Sequence, residues 1–202
     1  MRSGATDTTR GIMGHLQDTT ELPITYTEHL TVNLKKDKKL ARAVQGIFVL
    51  VALIAVGAAL LLPIRRGTDW APVVTIAVTL AACLVYMAVH EATHGVVLQL
   101  LTKVRPSYRV RFPFLTTGNH AYLTRRSAVL VALAPAVVWG IVLLVALLTL
   151  PDDYRLTAYI VLALNFAGSG GDFVEVYVVS RQRSDALIQD DGDDLRVFLP
   201  RG

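Results

Sequence analysis

The stretch from Ala71 to Leu101 holds no Asp, Lys or Arg, and Glu91 is its only carboxylate. About 20 apolar residues suffice for a helix to cross the hydrocarbon core of a bilayer, and a soluble core needs no run of this length. Three more apolar segments repeat the pattern, at about Val44 to Ile64, Ala128 to Leu150 and Leu156 to Val179. Charged residues make up 18% of the 202-residue chain, below the roughly 25% of soluble domains. These segments predict an all-α membrane protein with four transmembrane helices. A four-span domain over 44–180 would lie between a polar N-terminal segment, 1–43, and an acidic tail, 181–202.

Basic residues flank the segments unevenly. Lys35, Lys36, Lys38, Lys39 and Arg42 precede the first segment. Lys103, Arg105, Arg109, Arg111, Arg125 and Arg126 separate the second from the third, and Arg181 and Arg183 follow the fourth. The other two loops carry only Arg65 with Arg66, and Arg155 beside Asp152 and Asp153. Lys and Arg concentrate on the cytoplasmic side of a membrane. The pattern predicts a multi-pass protein, of the cell membrane, with both termini in the cytoplasm. It also accounts for the net charge of +4 without a nucleic-acid partner; lipid is the partner expected. Cys83 is the one cysteine, so neither an internal disulfide nor a cysteine-based metal site can form. The first 40 or so residues lack the apolar core of a secretory signal, and the first apolar run would act as an uncleaved anchor.

Outside the apolar segments, Leu22 to Leu34 alternates in part (Ile24, Tyr26, Leu30, Val32) and suits a short strand or an extended stretch on the membrane surface. In the loop from Val104 to Arg126, Tyr108, Val110 and Phe112 alternate with Arg109 and Arg111. Pro113 ends that run, Thr117-Gly118-Asn119 offers turn chemistry, and His120-Ala121-Tyr122-Leu123 resumes an extended pattern. A cytoplasmic or re-entrant β-hairpin between the second and third helices is the expectation. The tail, with its acids around Asp190 to Asp194, is expected to be mobile. Pro135 in the third segment is expected to kink it.

His90-Glu91-Ala92-Thr93-His94 lies inside the second segment. A spacing of four puts both imidazoles on one helix face, one turn apart, where they can share a Zn²⁺. Glu91, beside the first ligand, would take a proton from water activated there. The motif also arises by chance on solvated helices. Within a membrane span, however, two imidazoles and a carboxylate are costly unless they are paired or hydrated, and that context favours a metal site over a structural polar cluster.

A third ligand is required. Asp172 and Glu175 are the other acidic residues within apolar segments. His94 lies nine residues before Lys103 and Asp172 nine before Arg181, so both sit about 13 Å below the inner surface at 1.5 Å per residue. Asp172 is therefore the expected ligand, with Glu175 a supporting or gating group, or simply an interfacial carboxylate. Asn165 precedes Asp172 by seven residues, on the same face of a continuous helix, and could bond a ligand, the substrate backbone or an oxyanion. Gly168, Gly170 and Gly171 weaken this helix or let it pack closely. Gly95 would let the fourth span approach. His120, in the hairpin, could replace Asp172 as ligand or be a surface residue without a role; His15 and His29 read as solvated.

His-Glu-Ala-Thr-His-Gly at 90–95, Ala121-Tyr122, Leu133-Ala134-Pro135 and the run Asn165 through Asp172 follow one order along the chain. That order resembles the zincin-like membrane peptidases known mainly as a domain of unknown function, over a little more than half of the chain. More distantly, it is similar to site-2-protease-type intramembrane metalloproteases. These place His-Glu-x-x-His in one span and an aspartate ligand in a later one, after an asparagine. They usually carry a proline-containing run ending in Leu-Asp-Gly, whereas this chain has Gly170-Gly171-Asp172-Phe173, and no substrate-selecting periplasmic domain is evident. The resemblance implies a zinc metallopeptidase acting on a peptide or transmembrane protein near the cytoplasmic side. In it His90, His94 and Asp172 are metal ligands and Glu91 and Asn165 are catalytic. A non-catalytic metal-binding sensor, scaffold or transporter subunit is the alternative.

Overall fold

A computed structural model describes residues 17–34, 36–61, 68–111 and 114–201. His15, Lys35, Arg65, Arg66, Phe112 and Pro113 lie outside the described residues. Three helices are long and apolar enough to cross a membrane: α1 (Lys38–Leu61), α2 (Pro72–Thr102) and α3 (Arg125–Thr149). Pro72 opens α2 in its first turn, where a missing N–H costs nothing, and Lys103 ends it in the left-handed conformation. At 1.5 Å per residue its 31 residues reach about 46 Å, well beyond a hydrocarbon core of about 30 Å. The Thr124 hydroxyl caps α3 by accepting from Ser127 N–H at 3.2 Å. The helix continues through Pro135. Leu50, Leu53 and Leu60 of α1 are exposed, as befits a helix whose apolar faces look outward.

The fourth apolar segment is not one helix. It divides into α4 (Asp152–Gly168) and α5 (Gly170–Ser180) at Ser169. The fully buried Ser169 hydroxyl donates to the Asn165 carbonyl at 2.7 Å. Gly170 follows because α1 passes close by: a Cβ there would lie 3.1 Å from Val44 O.

A hairpin is present between α2 and α3, but its strands are β2 (Ser107–Arg111) and β3 (Phe114–Gly118), paired antiparallel with Ser107 opposite Gly118, so Thr117 and Gly118, expected in the turn, lie inside the second strand. The segment before α1 forms a strand, β1 (Tyr26–Val32). The tail departs from expectation. Instead of being mobile it forms β5 (Leu187–Asp190) and β6 (Leu195–Pro200), in an antiparallel sheet ordered β1-β6-β5-β4 with β4 at Leu123–Thr124. Ile188 and Val197 are fully buried, packed with Leu98, Leu123, Ala128, Val179 and Leu195. The acidic run is the turn between these strands. Asp191 Oδ1 accepts from Asp193 N–H and Asp194 N–H at 3.0 and 2.9 Å, and Gly192 supplies the positive φ of 87°. Burial would raise the Asp191 carboxyl, but these N–H groups and Arg196 hold it below the usual carboxylate range. The acidic run expected to be mobile is thus the end of β5 and a hydrogen-bonded turn.

Candidate metal centre

α2 carries His90, Glu91 and His94, and α5 presents Asp172 from its first turn, where a helix N-terminus favours a carboxylate. His90 Nε2 lies 3.3 Å from Asp172 Oδ2, and His94 Nε2 lies 3.4 Å from Asp172 Oδ1. One ligand atom from each of the three residues falls within 4.8 Å of the others. The remote ring nitrogens are engaged elsewhere. His90 Nδ1 is 2.8 Å from the Tyr86 hydroxyl, and His94 Nδ1 is 3.0 Å from the Val131 carbonyl of α3.

Glu91 faces the same space. Its Oε2 accepts from the Thr117 hydroxyl of β3 at 3.0 Å. Together with His94, Asp172, Glu175 and Asp190 it lines a cavity of about 170 Å³. No lysine or arginine is among the described lining residues. Asp172 Oδ2 is buried without a hydrogen-bond partner, although His90 Nε2 lies 3.3 Å away, so this oxygen keeps lone pairs for a cation. Two imidazole nitrogens and a carboxylate oxygen form a donor set that suits Zn²⁺, and the acidic lining suits any dication. The residues fit the metal.

The other residues singled out from the sequence fall as follows. Asn165 is fully buried; its Oδ1 accepts from the Tyr86 hydroxyl at 2.7 Å and its Nδ2 donates to the Ala136 carbonyl at 3.0 Å. Both ends of its amide are occupied by the protein. His120 and His29 are exposed, and the His120 carbonyl accepts from Gln189 Nε2. Gly95 does not admit the fourth segment. A Cβ there would lie 2.7 Å from Tyr108 Cζ, and closer to the hydroxyl, so it is the hairpin that approaches α2. Tyr86, Thr117 and Asp190 escaped the sequence reading. Tyr86 had one signal, four residues before His90 on the same helix face. Asp190 titrates at about 6, raised first by burial.

The family whose model is described as "Putative zincin peptidase" matches residues 83–187, and the chain belongs to it. That span runs from the middle of α2 to the first residue of β5. No curated protein and no solved structure matches the chain.

Proposed function

We propose that the protein is a zinc-dependent intramembrane metallopeptidase that hydrolyses peptide bonds near the cytoplasmic side of the membrane. The observation that carries this reading is the convergence of His90, His94 and Asp172 beside a carboxylate, Glu91, that lines the same cavity. Bound there, Zn²⁺ would supply Lewis-acid activation of water and of the scissile carbonyl. His90, His94 and Asp172 hold it. Glu91 takes a proton from the attacking water and delivers it to the leaving amine. The Thr117 hydroxyl orients Glu91 by occupying Oε2. Among the described residues the two-stranded β2–β3 sheet has an edge without a strand partner, to which an extended substrate segment can add, and Glu175 and Asp190 keep the cavity hospitable to water.

Four membrane crossings go with this reading, the fourth made by α4 and α5 together. The sheet supports the count. It joins β1, ahead of α1, to β4, between α2 and α3, and to β5 and β6, after α5. Strands bonded to one another lie on one side of a bilayer, so an even number of crossings separates each from the next. α3 crosses outward and α4–α5 must return. Lys103, Arg125, Arg126 and Arg181 cluster at the sheet end, which favours the cytoplasm.

Elemental analysis of the purified protein should find about one zinc per chain, as a three-ligand site predicts. His94→Ala combined with Asp172→Ala should remove it. Glu91→Gln should keep the metal and lose cleavage of a transmembrane reporter peptide. Zinc content untouched by the double substitution would refute the site, and undiminished cleavage by Glu91→Gln would refute the base and leave the metal-sensor or scaffold reading.

A further inference from the structure

We infer that α3 fixes the tautomer of both metal-binding imidazoles, through Pro135 for His94 and through Asn165 and Tyr86 for His90, so that each ring presents a lone pair at Nε2. The inference rests on the metal reading of the site but is settled by hydrogen bonds within the chain.

His94 is the simpler case. Its Nδ1 sits 3.0 Å from the Val131 carbonyl. A carbonyl oxygen can only accept, so Nδ1 carries the proton. In an uninterrupted helix that carbonyl would accept the N–H of residue 135. Residue 135 is proline, which has none. Pro135 therefore leaves Val131 O unclaimed within α3, and the His94 ring takes it.

The same helix reaches His90 through two intermediaries. The Ala136 carbonyl can only accept, so the Asn165 atom 3.0 Å from it is the amide nitrogen. The opposite orientation would set two oxygens against each other in a fully buried place. The Asn165 oxygen therefore faces Tyr86 and accepts its hydroxyl proton at 2.7 Å. A phenol has one proton. With that proton committed, the 2.8 Å contact between the Tyr86 oxygen and His90 Nδ1 must use a proton on the imidazole. His90 too is protonated at Nδ1, which leaves its Nε2, 3.3 Å from Asp172 Oδ2, as the ring nitrogen available to a metal. Partners of this kind set tautomer and orientation at metal sites and commonly carry 10–100-fold in affinity. Tyr86, Asn165 and Pro135 are positioning residues, and Asn165 acts through Tyr86 rather than on substrate.

The test is long-range ¹H–¹⁵N spectroscopy of histidine-labelled, metal-free protein in detergent, with the pH raised until the ¹⁵N shifts report neutral rings and with assignments from His90→Gln and His94→Gln. Both rings should show the Nδ1–H pattern. Tyr86→Phe should move His90 toward Nε2–H and leave His94 unchanged. Pro135→Ala, which restores a competing N–H, should move His94 and leave His90 unchanged. Chelator competition should show zinc affinity reduced by about 10–100-fold in Tyr86→Phe, while the thermal transition reports that the fold persists. Nε2–H rings in the wild type, or ring patterns indifferent to both substitutions, would overturn the assignment. Should Tyr86→Phe not fold, the wild-type His90 pattern decides for that ring and Pro135→Ala for His94. A wild type with both Nδ1–H rings and no zinc binding would uphold the tautomers and overturn the metal reading.

Discussion

Gly118 closes β3 where the hairpin meets the β5–β6 turn, and adding one methyl group there should separate the metal from the chemistry. A Cβ on Gly118 would lie 2.8 Å from Asp191 O and nearer still to Asp191 C and Gly192 N. These are backbone atoms, so no rotamer change relieves the clash; the turn or the strand end has to move. The displacement strains the Asn119 N–H to Asp190 O bond of 3.0 Å, which lies beside it, and the exposed Arg109–Asp193 pair at 2.8 Å, which contributes little. Overpacking of this kind costs about 1–3 kcal/mol. At about 2–4 °C per kcal/mol for a chain of this size, Gly118→Ala should lower Tm by roughly 2–12 °C. Thr117, one residue earlier, holds Glu91, and misplacement of a catalytic group by about 1 Å can cost about 10²-fold in rate. Thermal unfolding in detergent, zinc analysis and reporter cleavage on one preparation would read all three effects. Zinc should stay, since the atoms nearest the added methyl group belong to Asp191 and Gly192 and not to His90, His94 or Asp172. A variant with wild-type Tm and turnover, or one that lost zinc in step with activity, would refute the reasoning.

Three further outcomes follow from other contacts. Thr117→Val removes the donor to Glu91 Oε2 and should lower turnover with zinc retained, at a stability cost of about 1 kcal/mol; unchanged turnover would count against Thr117 as the orienting group. Ile188→Ala empties a fully buried position under the sheet and should destabilise by about 2–5 kcal/mol and expose the C-terminal strands to limited proteolysis, whereas a silent substitution would restore the picture of a loose tail. Asp190 carries a folded-state pKa of about 6 against an ordinary 3.8, raised chiefly by burial. A raised carboxyl pKa means that its stabilising contribution is complete below the unfolded value and is lost as pH rises through the folded one. The metal-free protein should therefore lose at most about 3 kcal/mol between about pH 4 and pH 6, and Asp190→Asn should flatten that slope; an identical slope in denaturation midpoints would be the contrary result.

What the sequence made legible was local. A four-residue spacing of histidines, and equal distances from His94 and Asp172 to their basic flanks, depend only on helical geometry, and the structure brings those three residues within reach of one ion. The hairpin announced itself by alternation between nearby residues. The rest depended on partners far away in the chain. Leu187, Ile188 and Val197 were overshadowed by the neighbouring acids, because the strand that buries β6 lies before the first helix. Tyr86 carries no mark in the sequence beyond its spacing from His90, and its role depends on Asn165, which meets it from α4. Asn165 itself had been placed by assuming a continuous helix through Ser169, and its bonding role emerged only with Ala136 of α3 opposite it.

Pairing of Tyr26 with Pro200 has a consequence for biogenesis. β1 is made before any of the helices, and its partner β6 after all of them. Closing so long a loop is entropically slow, so throughout insertion β1 waits with an open edge, the kind of edge that invites pairing with another chain. Asp172 and Asp190 arrive in the same late stretch of synthesis. On the proposed metal reading, capture of an ion and closure of the sheet would fall at one stage, and an early intermediate holding only α1 and α2 would carry both histidines with no carboxylate from α5 to complete the site. Stalling synthesis after α3 should yield an inserted chain that neither retains metal nor protects its first strand.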